Sequence, residues 1–209
     1  MSVTRSSTGP RYLPLNVDSD GAYLFFGGDC KIKFVSKPGE PFKARQWLKA
    51  DSPYTGAGKK SLANPPLHYH LYQTELFQVV SGVMGFVLDG EEGKLHPGQR
   101  VVIEPYQVHT FWNDPDSGED LVVEVSLKGG DRRGLDETFL KNFFGYLDAQ
   151  IMAGKTPDTL QMFTFMDSAD VVIADVPLGL GRVANVVIGR AIAPWILGYK
   201  TSIPEFEQS

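Results

Sequence analysis

Two of the four histidines in this 209-residue chain stand one residue apart, His68 and His70 in PPLHYHLYQTELFQVVSG, and Glu75 follows after four more residues. Side chains on an extended strand alternate between faces, so both imidazoles of an H-x-H point the same way. A third imidazole, His109, heads a later apolar run, HTFWN. Three imidazoles and one carboxylate form a borderline donor set suited to Fe(II), Mn(II), Ni(II), Co(II) or Zn(II). Such a set leaves coordination positions open for water, dioxygen or a chelating substrate. An H-x-H by itself is a weak sign of metal, since most histidines in β domains are surface or hydrogen-bonded residues. The fourth histidine, His96, lies in the turn-like KLHPGQ and reads as a surface residue.

The elements that must hold these side chains read as strands. From Ala22 to Leu127 the chain consists of short runs rich in Val, Phe, Tyr and Leu, broken by Gly, Pro, Asp and Asn. AYLFFGG, KIKFVS, FKARQWLKA, ELFQVVSGVMGFVLDG, QRVVIEP, HTFWN and LVVEVSL are the expected strands, and Asp89-Gly90 is a hairpin-turn signal. Many short strands without intervening helices predict a sandwich or closed barrel. After Gly130 the period changes. Leu135, Phe139, Leu140, Phe143, Phe144, Leu147 and Ile151 recur at helical spacing, with Asp136 and Glu137 in the first turn, where the helix dipole favours negative charge. TLQMFTFMD is a second helical run. The expected division is therefore a β barrel over residues 1–130 and a helical extension over 131–209, packed on the barrel or at an interface.

Composition narrows the function classes. Apolar residues make up 42% and charged residues 22%, as in ordinary globular domains. A net charge of -5 with no basic tract argues against nucleic acid. The single Cys30 excludes an internal disulfide and a cysteine-based zinc finger. MSVTRSSTGPRYLPLNVDSD lacks the apolar core of a secretory signal, which gives a cytoplasmic expectation. The apolar PLGLGRVANVVIGRAIAPWILG is about one bilayer long, but Arg182, Arg190 and Pro194 interrupt it. A buried or interface-covering helix is expected there, not a membrane span.

His68, His70, Glu75 and Gly82, followed by Gly98, Pro105, His109 and Asn113 in GQRVVIEPYQVHTFWN, resemble the two linked motifs of the cupin superfamily. The tail, from GGDRRGLDETFLKNFFGYLDAQ to WILGYKTSIPEF, resembles that of small fungal cupins of specialised metabolism. The resemblance implies an all-β, cupin-type conical β-barrel (jelly roll) with a C-terminal helical extension. It also implies one divalent metal ion held by His68, His70, Glu75 and His109, with iron first and zinc, manganese, nickel or cobalt also suited. The implied function is a metal-dependent oxidoreductase of dioxygenase type acting on a small oxygenated, aromatic or polyketide-like metabolite, with Glu75 and His109 as catalytic candidates. A non-oxidative decarboxylase, isomerase or cyclase is the alternative, and a non-catalytic metal or small-molecule binding protein a further one. A homodimer is expected.

Three departures from the motif stand out: Leu62 where a glycine often precedes H-x-H, Glu104 where proline is common, and Tyr106 in a position often held by glycine. If that last turn requires a positive φ, Tyr106 carries strain. Parity places Phe77 and Val79 with Glu75, and Phe111 with His109, as lining of an apolar cavity, while Tyr69 points away. Arg45 and Trp47 share one face of FKARQWLKA and Gln46 the other. Inside the barrel, Arg45 would suit a substrate carboxylate or enolate. Otherwise it faces solvent. Arg45, Trp47, Phe77, Tyr106 and Phe111 are the expected substrate pocket. Tyr72, Gln73, Glu104, Tyr106 and Glu124 are unranked acid/base or hydrogen-bond candidates.

Overall fold

The computed structural model describes residues 12–37, 39–130, 133–175, 187 and 198–208. Among the described residues eleven strands precede the two long α-helices: β1 (Asn16–Val17), β2 (Tyr23–Phe25), β3 (Cys30–Phe34), β4 (Phe42–Leu48), β5 (His68–His70), β6 (Gln73–Ser81), β7 (Met84–Leu88), β8 (Glu91–Leu95), β9 (Arg100–Ile103), β10 (His109–Asn113) and β11 (Leu121–Gly129). Helices α1 (Glu137–Met152) and α2 (Thr159–Ser168) follow, then strand β12 (Val171–Ile173) and a helical turn at Pro204–Glu207. The strands form a seven-stranded sheet in the order β1-β2-β3-β4-β11-β6-β9 and a five-stranded sheet in the order β12-β5-β10-β7-β8. Among the described residues, paired strands run antiparallel throughout.

Alternation along the strands builds the interior. In β6, Gln73, Glu75, Phe77 and Val79 are buried, while the residues between them are less so. β11 repeats the pattern with Leu121, Val123, Val125 and Leu127. The run ELFQVVSGVMGFVLDG is two strands, not one. It breaks at Gly82, whose φ of 72° turns the chain out of the seven-stranded sheet and into the five-stranded one. Asp89 and Gly90, with φ of 50° and 90°, close the β7–β8 hairpin as the sequence predicts.

Asp136 caps α1 by accepting a hydrogen bond from the Phe139 amide at 2.8 Å, so it lies just before the first turn, not in it. Asp158 caps α2 through the Leu160 amide, also at 2.8 Å. Gln73 latches this region to the barrel: its Oε1 accepts from the Leu135 amide at 2.7 Å and its Nε2 donates to the Leu135 carbonyl at 3.3 Å. The region after Gly130 is not purely helical. Strand β12 returns to pair with β5, setting Val171 opposite His70 and Ile173 opposite His68. Three residues, Val-Val-Ile, are too few to show a period, which is why the sequence alone does not reveal the strand. The apolar segment 177–198 lies largely outside the described residues, and among those described no helix is long and apolar enough to cross a membrane.

Candidate metal centre

Each imidazole arrives on a short strand pinned from both sides. β5 lies between β10 and β12, and His109 is the direct partner of His68 across the β10–β5 pair. Glu75 comes from the facing sheet on β6. One ligand atom from each of His68, His70, Glu75 and His109 lies within 4.8 Å of all the others, and all four side chains are buried. Bonds of about 2.0–2.2 Å to one ion would span such a cluster after a small inward shift.

Backbone carbonyls orient two of the rings. His68 Nδ1 donates to the Pro66 carbonyl at 2.8 Å, and His109 Nδ1 to the Gln107 carbonyl at 2.9 Å. Each contact places a proton on Nδ1 and turns Nε2 toward the cluster centre, the orientation that metal-bound imidazoles require. His70 is different. Its two ring nitrogens are buried without a hydrogen bond, and the Nε2 approach to Glu75 Oε2 at 3.3 Å lacks hydrogen-bond geometry. Native proteins seldom leave both nitrogens of a buried imidazole unmatched, and a cation at the centre would engage one of them.

Charge at the cluster is organised around Glu75. Burial alone would push its carboxyl up, but the neighbouring His70 and the hydrogen-bonded His109 outweigh this and hold it below the usual carboxylate range. His109 Nε2 stands 2.8 Å from Glu75 Oε2. Burial lowers the His109 pKa, yet the bond to Glu75 more than offsets it, so the net shift is upward. Burial, then the nearby His109 and His70, drive His68 well below the usual histidine value and keep it neutral. A divalent ion at the centre would have to displace the proton that His109 shares with Glu75, because the ligating nitrogen of an imidazole must be free of its proton.

His68 and Glu75 form the polar floor of a cavity of about 60 Å³ for the centres of water-sized spheres, several times what one water needs. Its walls come from both sheets and include Ile32, Ala44, Gln46, Phe77, Phe111 and Val125. Its roof is the helical region, chiefly Leu135, Phe139, Phe143, Phe144 and Met166. Phe77 and Phe111 pack with ring centroids 4.8 Å apart and line the same cavity as His68 and Glu75.

Three expected pocket residues lie elsewhere. On β4 the inward positions are Ala44, Gln46 and Leu48, so Arg45 and Trp47 face outward. Arg45 pairs there with Glu124 at 2.5 Å, alongside Lys43, and these two cations hold the Glu124 carboxyl below its ordinary range. The flanking apolar residues Ala44 and Leu48 carried the phase, and Gln46 between them is the wall residue that sequence reasoning missed. Arg45→Ala should therefore lower stability by about 1 kcal/mol or less in urea titration, as expected for a surface ion pair, and leave the chamber intact. Tyr106 is 57% exposed. Its φ is 71°, so the suspected strain is present, at a cost of about 1–2 kcal/mol. Its amide donates to the His70 carbonyl at 2.8 Å, which ties the strained turn to the ligand strand.

The acid/base candidates also lie outside the chamber. Tyr72 is exposed, Gln73 serves as the latch, Glu104 accepts from Thr74 Oγ1 at 2.9 Å on the surface, and Glu124 is on the outer face. His96 is exposed, as expected.

The family model described as "Cupin domain" matches residues 61–124, which contain all four cluster residues. The chain is also 36% identical over 143 residues to "Oxidoreductase iacF" of Pestalotiopsis fici, covering 66% of this chain and 68% of that one. This chain belongs to the cupin superfamily. The cupin is 29% identical over 197 residues to "Probable oxidoreductase virH" of Hypocrea virens, covering 91% and 89% of the two chains. It is likewise 29% identical over 212 residues to "Epoxidase atD" of Aspergillus terreus, covering 93% of this cupin and 66% of that protein. Three further fungal relatives are longer, and this cupin spans 45% to 61% of their length.

Proposed function

We propose that this cupin is a metal-dependent oxidoreductase of dioxygenase type, in which His68, His70, Glu75 and His109 hold one divalent ion, iron first, beneath a small-molecule chamber. The observation that carries the reading is the convergence of four buried donors, with His70 unmatched and the rings of His68 and His109 oriented, two of which, His68 and Glu75, open onto an apolar cavity. The printed names of the fungal relatives, oxidoreductases and an epoxidase, support the reaction class.

When bound, such an ion supplies Lewis-acid polarisation and, if it is iron, dioxygen chemistry. The chain's own residues supply the rest. Pro66 and Gln107 fix the tautomers of His68 and His109 through their carbonyls. Glu75 brings the one negative charge among the lining residues and leaves the loaded cluster with a net charge of about +1, which favours a substrate oxygen that becomes anionic. Phe77, Phe111 and the phenylalanines of α1 exclude water and pack against an apolar substrate body. The barrel strands carry the donors, and Leu135, α1 and Met166 of α2 close the chamber over them.

Oxygen-electrode measurements on the iron-reconstituted chain, with a panel of small phenols and enolisable ketones, test the reaction class. Dioxygen uptake in step with loss of one compound is expected. Turnover under strict anaerobiosis would contradict the oxidative reading and point to a lyase or isomerase.

A further inference from the structure

Among the described lining residues, one polar side chain lies outside the His/Glu cluster, Gln46 on β4. It is 6% exposed and sits between the inward-facing Ala44 and Leu48. Among the described residues its one hydrogen-bond partner is the Cys30 thiol, reached by Nε2 at 3.5 Å. Cys30 is fully buried, and burial pushes its thiol up to about 12, so the sulfur is a neutral and weak acceptor. The amide therefore keeps its carbonyl oxygen and a second N–H for the chamber. An amide with unspent hydrogen-bonding capacity in an apolar wall is a poor choice for stability alone, since leucine would fill similar space without the desolvation penalty.

The chamber's charge is equally informative. Among the described residues no Lys or Arg lines the chamber. Arg45 faces outward to Glu124, and the buried Lys141 on α1 is held by Glu137 at 2.7 Å and lies 4.5 Å from the Tyr23 ring. Against the described lining, a substrate carboxylate away from the His68–Glu75 floor would meet phenylalanines and aliphatic groups with no cation to match it.

We infer that Gln46 is the substrate-recognition residue of the chamber, and that the substrate is an uncharged, compact apolar molecule presenting one hydroxyl or carbonyl oxygen to this amide. The inference rests on the chamber being the substrate site, as the proposed function has it. The amide accepts from a hydroxyl through Oε1 or donates to a carbonyl through its free N–H. The thiol of Cys30 fixes which way the amide turns.

Isothermal titration of the full chain with phenol, toluene and benzoate tests this, in the metal-free and zinc-loaded forms. Wild type should bind phenol more tightly than toluene, and in the metal-free form benzoate least. Gln46→Leu should weaken phenol about tenfold, to the level of toluene, while toluene affinity and zinc stoichiometry stay unchanged. Gln46→Asn, which keeps the amide but draws it back from the chamber, should fall between the two. Unchanged phenol affinity in Gln46→Leu would overturn the inference. So would benzoate binding above phenol in the metal-free protein, or no phenol binding by wild type at its solubility limit. Failure to bind zinc with the phenol preference intact would instead count against the metal reading alone.

Discussion

His70→Ala should strip the chain of its divalent ion and its activity together, with kcat/KM falling more than about 100-fold. Losing a residue that merely orients a ligand already costs about 10- to 100-fold in metal affinity or activity, and losing the ligand itself costs more. His70 is the sharpest choice because its ring meets the metal-free fold only through packing and its 3.3 Å approach to Glu75. Neither nitrogen has a hydrogen bond, while His68 and His109 are each tied to a carbonyl. The variant should fold but in metal-free form should melt below wild type, since the lost ring leaves a buried cavity beside Glu75. The larger difference should emerge on loading. An ion present at about a thousand times its Kd stabilises a fold by about 4 kcal/mol, and this increment should appear in wild type and vanish in His70→Ala. Thermal unfolding with and without added iron(II) or zinc, beside metal analysis, reads both effects. A variant that kept full metal and full activity would contradict the ligand assignment.

The largest effect on the fold itself is expected from Gly82→Ala, about 3 kcal/mol or more of destabilisation in denaturant titration. Two costs add there. The backbone at Gly82 has φ 72°, a left-handed conformation that costs a non-glycine residue about 1–2 kcal/mol. A Cβ at that position would also stand 2.5 Å from the Asp120 carbonyl oxygen and 2.9 Å from the Leu121 Cα. Both obstacles are backbone atoms at the start of β11, so relief requires moving an interior strand of the larger sheet, paired with β4 on one side and β6 on the other. Gly98→Ala makes the control. Its φ of 84° carries similar backbone strain, but an added Cβ meets nothing within 4 Å, so the loss should be confined to the strain.

These two positions also mark what the sequence makes legible. The spacing of His68, His70, Glu75, Gly82 and His109 contains the cluster and its turn because strand alternation is local: parity alone aims both imidazoles of H-x-H one way. The same reasoning placed Phe77 and Phe111 toward the cavity, where they line it. It left β4 unresolved because the charged Arg45 and the polar Gln46 drew attention away from Ala44 and Leu48, whose apolar parity decides the face. Long-range features were beyond its reach. The period of α1 announces an apolar stripe, but nothing local says that Phe139 and Phe143 roof the chamber, or that Val171–Ile173 returns to pair with the ligand strand. Those contacts depend on the Gln73–Leu135 latch and on chain reversals far from the residues they join.

The central claim is that this chain is built around one divalent ion, and elemental analysis tests it most directly. The purified full-length chain, reconstituted anaerobically with iron(II), manganese(II) or zinc(II) and desalted, should retain about one ion per chain. His68→Ala, His70→Ala and His109→Ala should retain almost none. A folded wild-type chain that holds less than about a tenth of an equivalent of each of these metals would contradict the account.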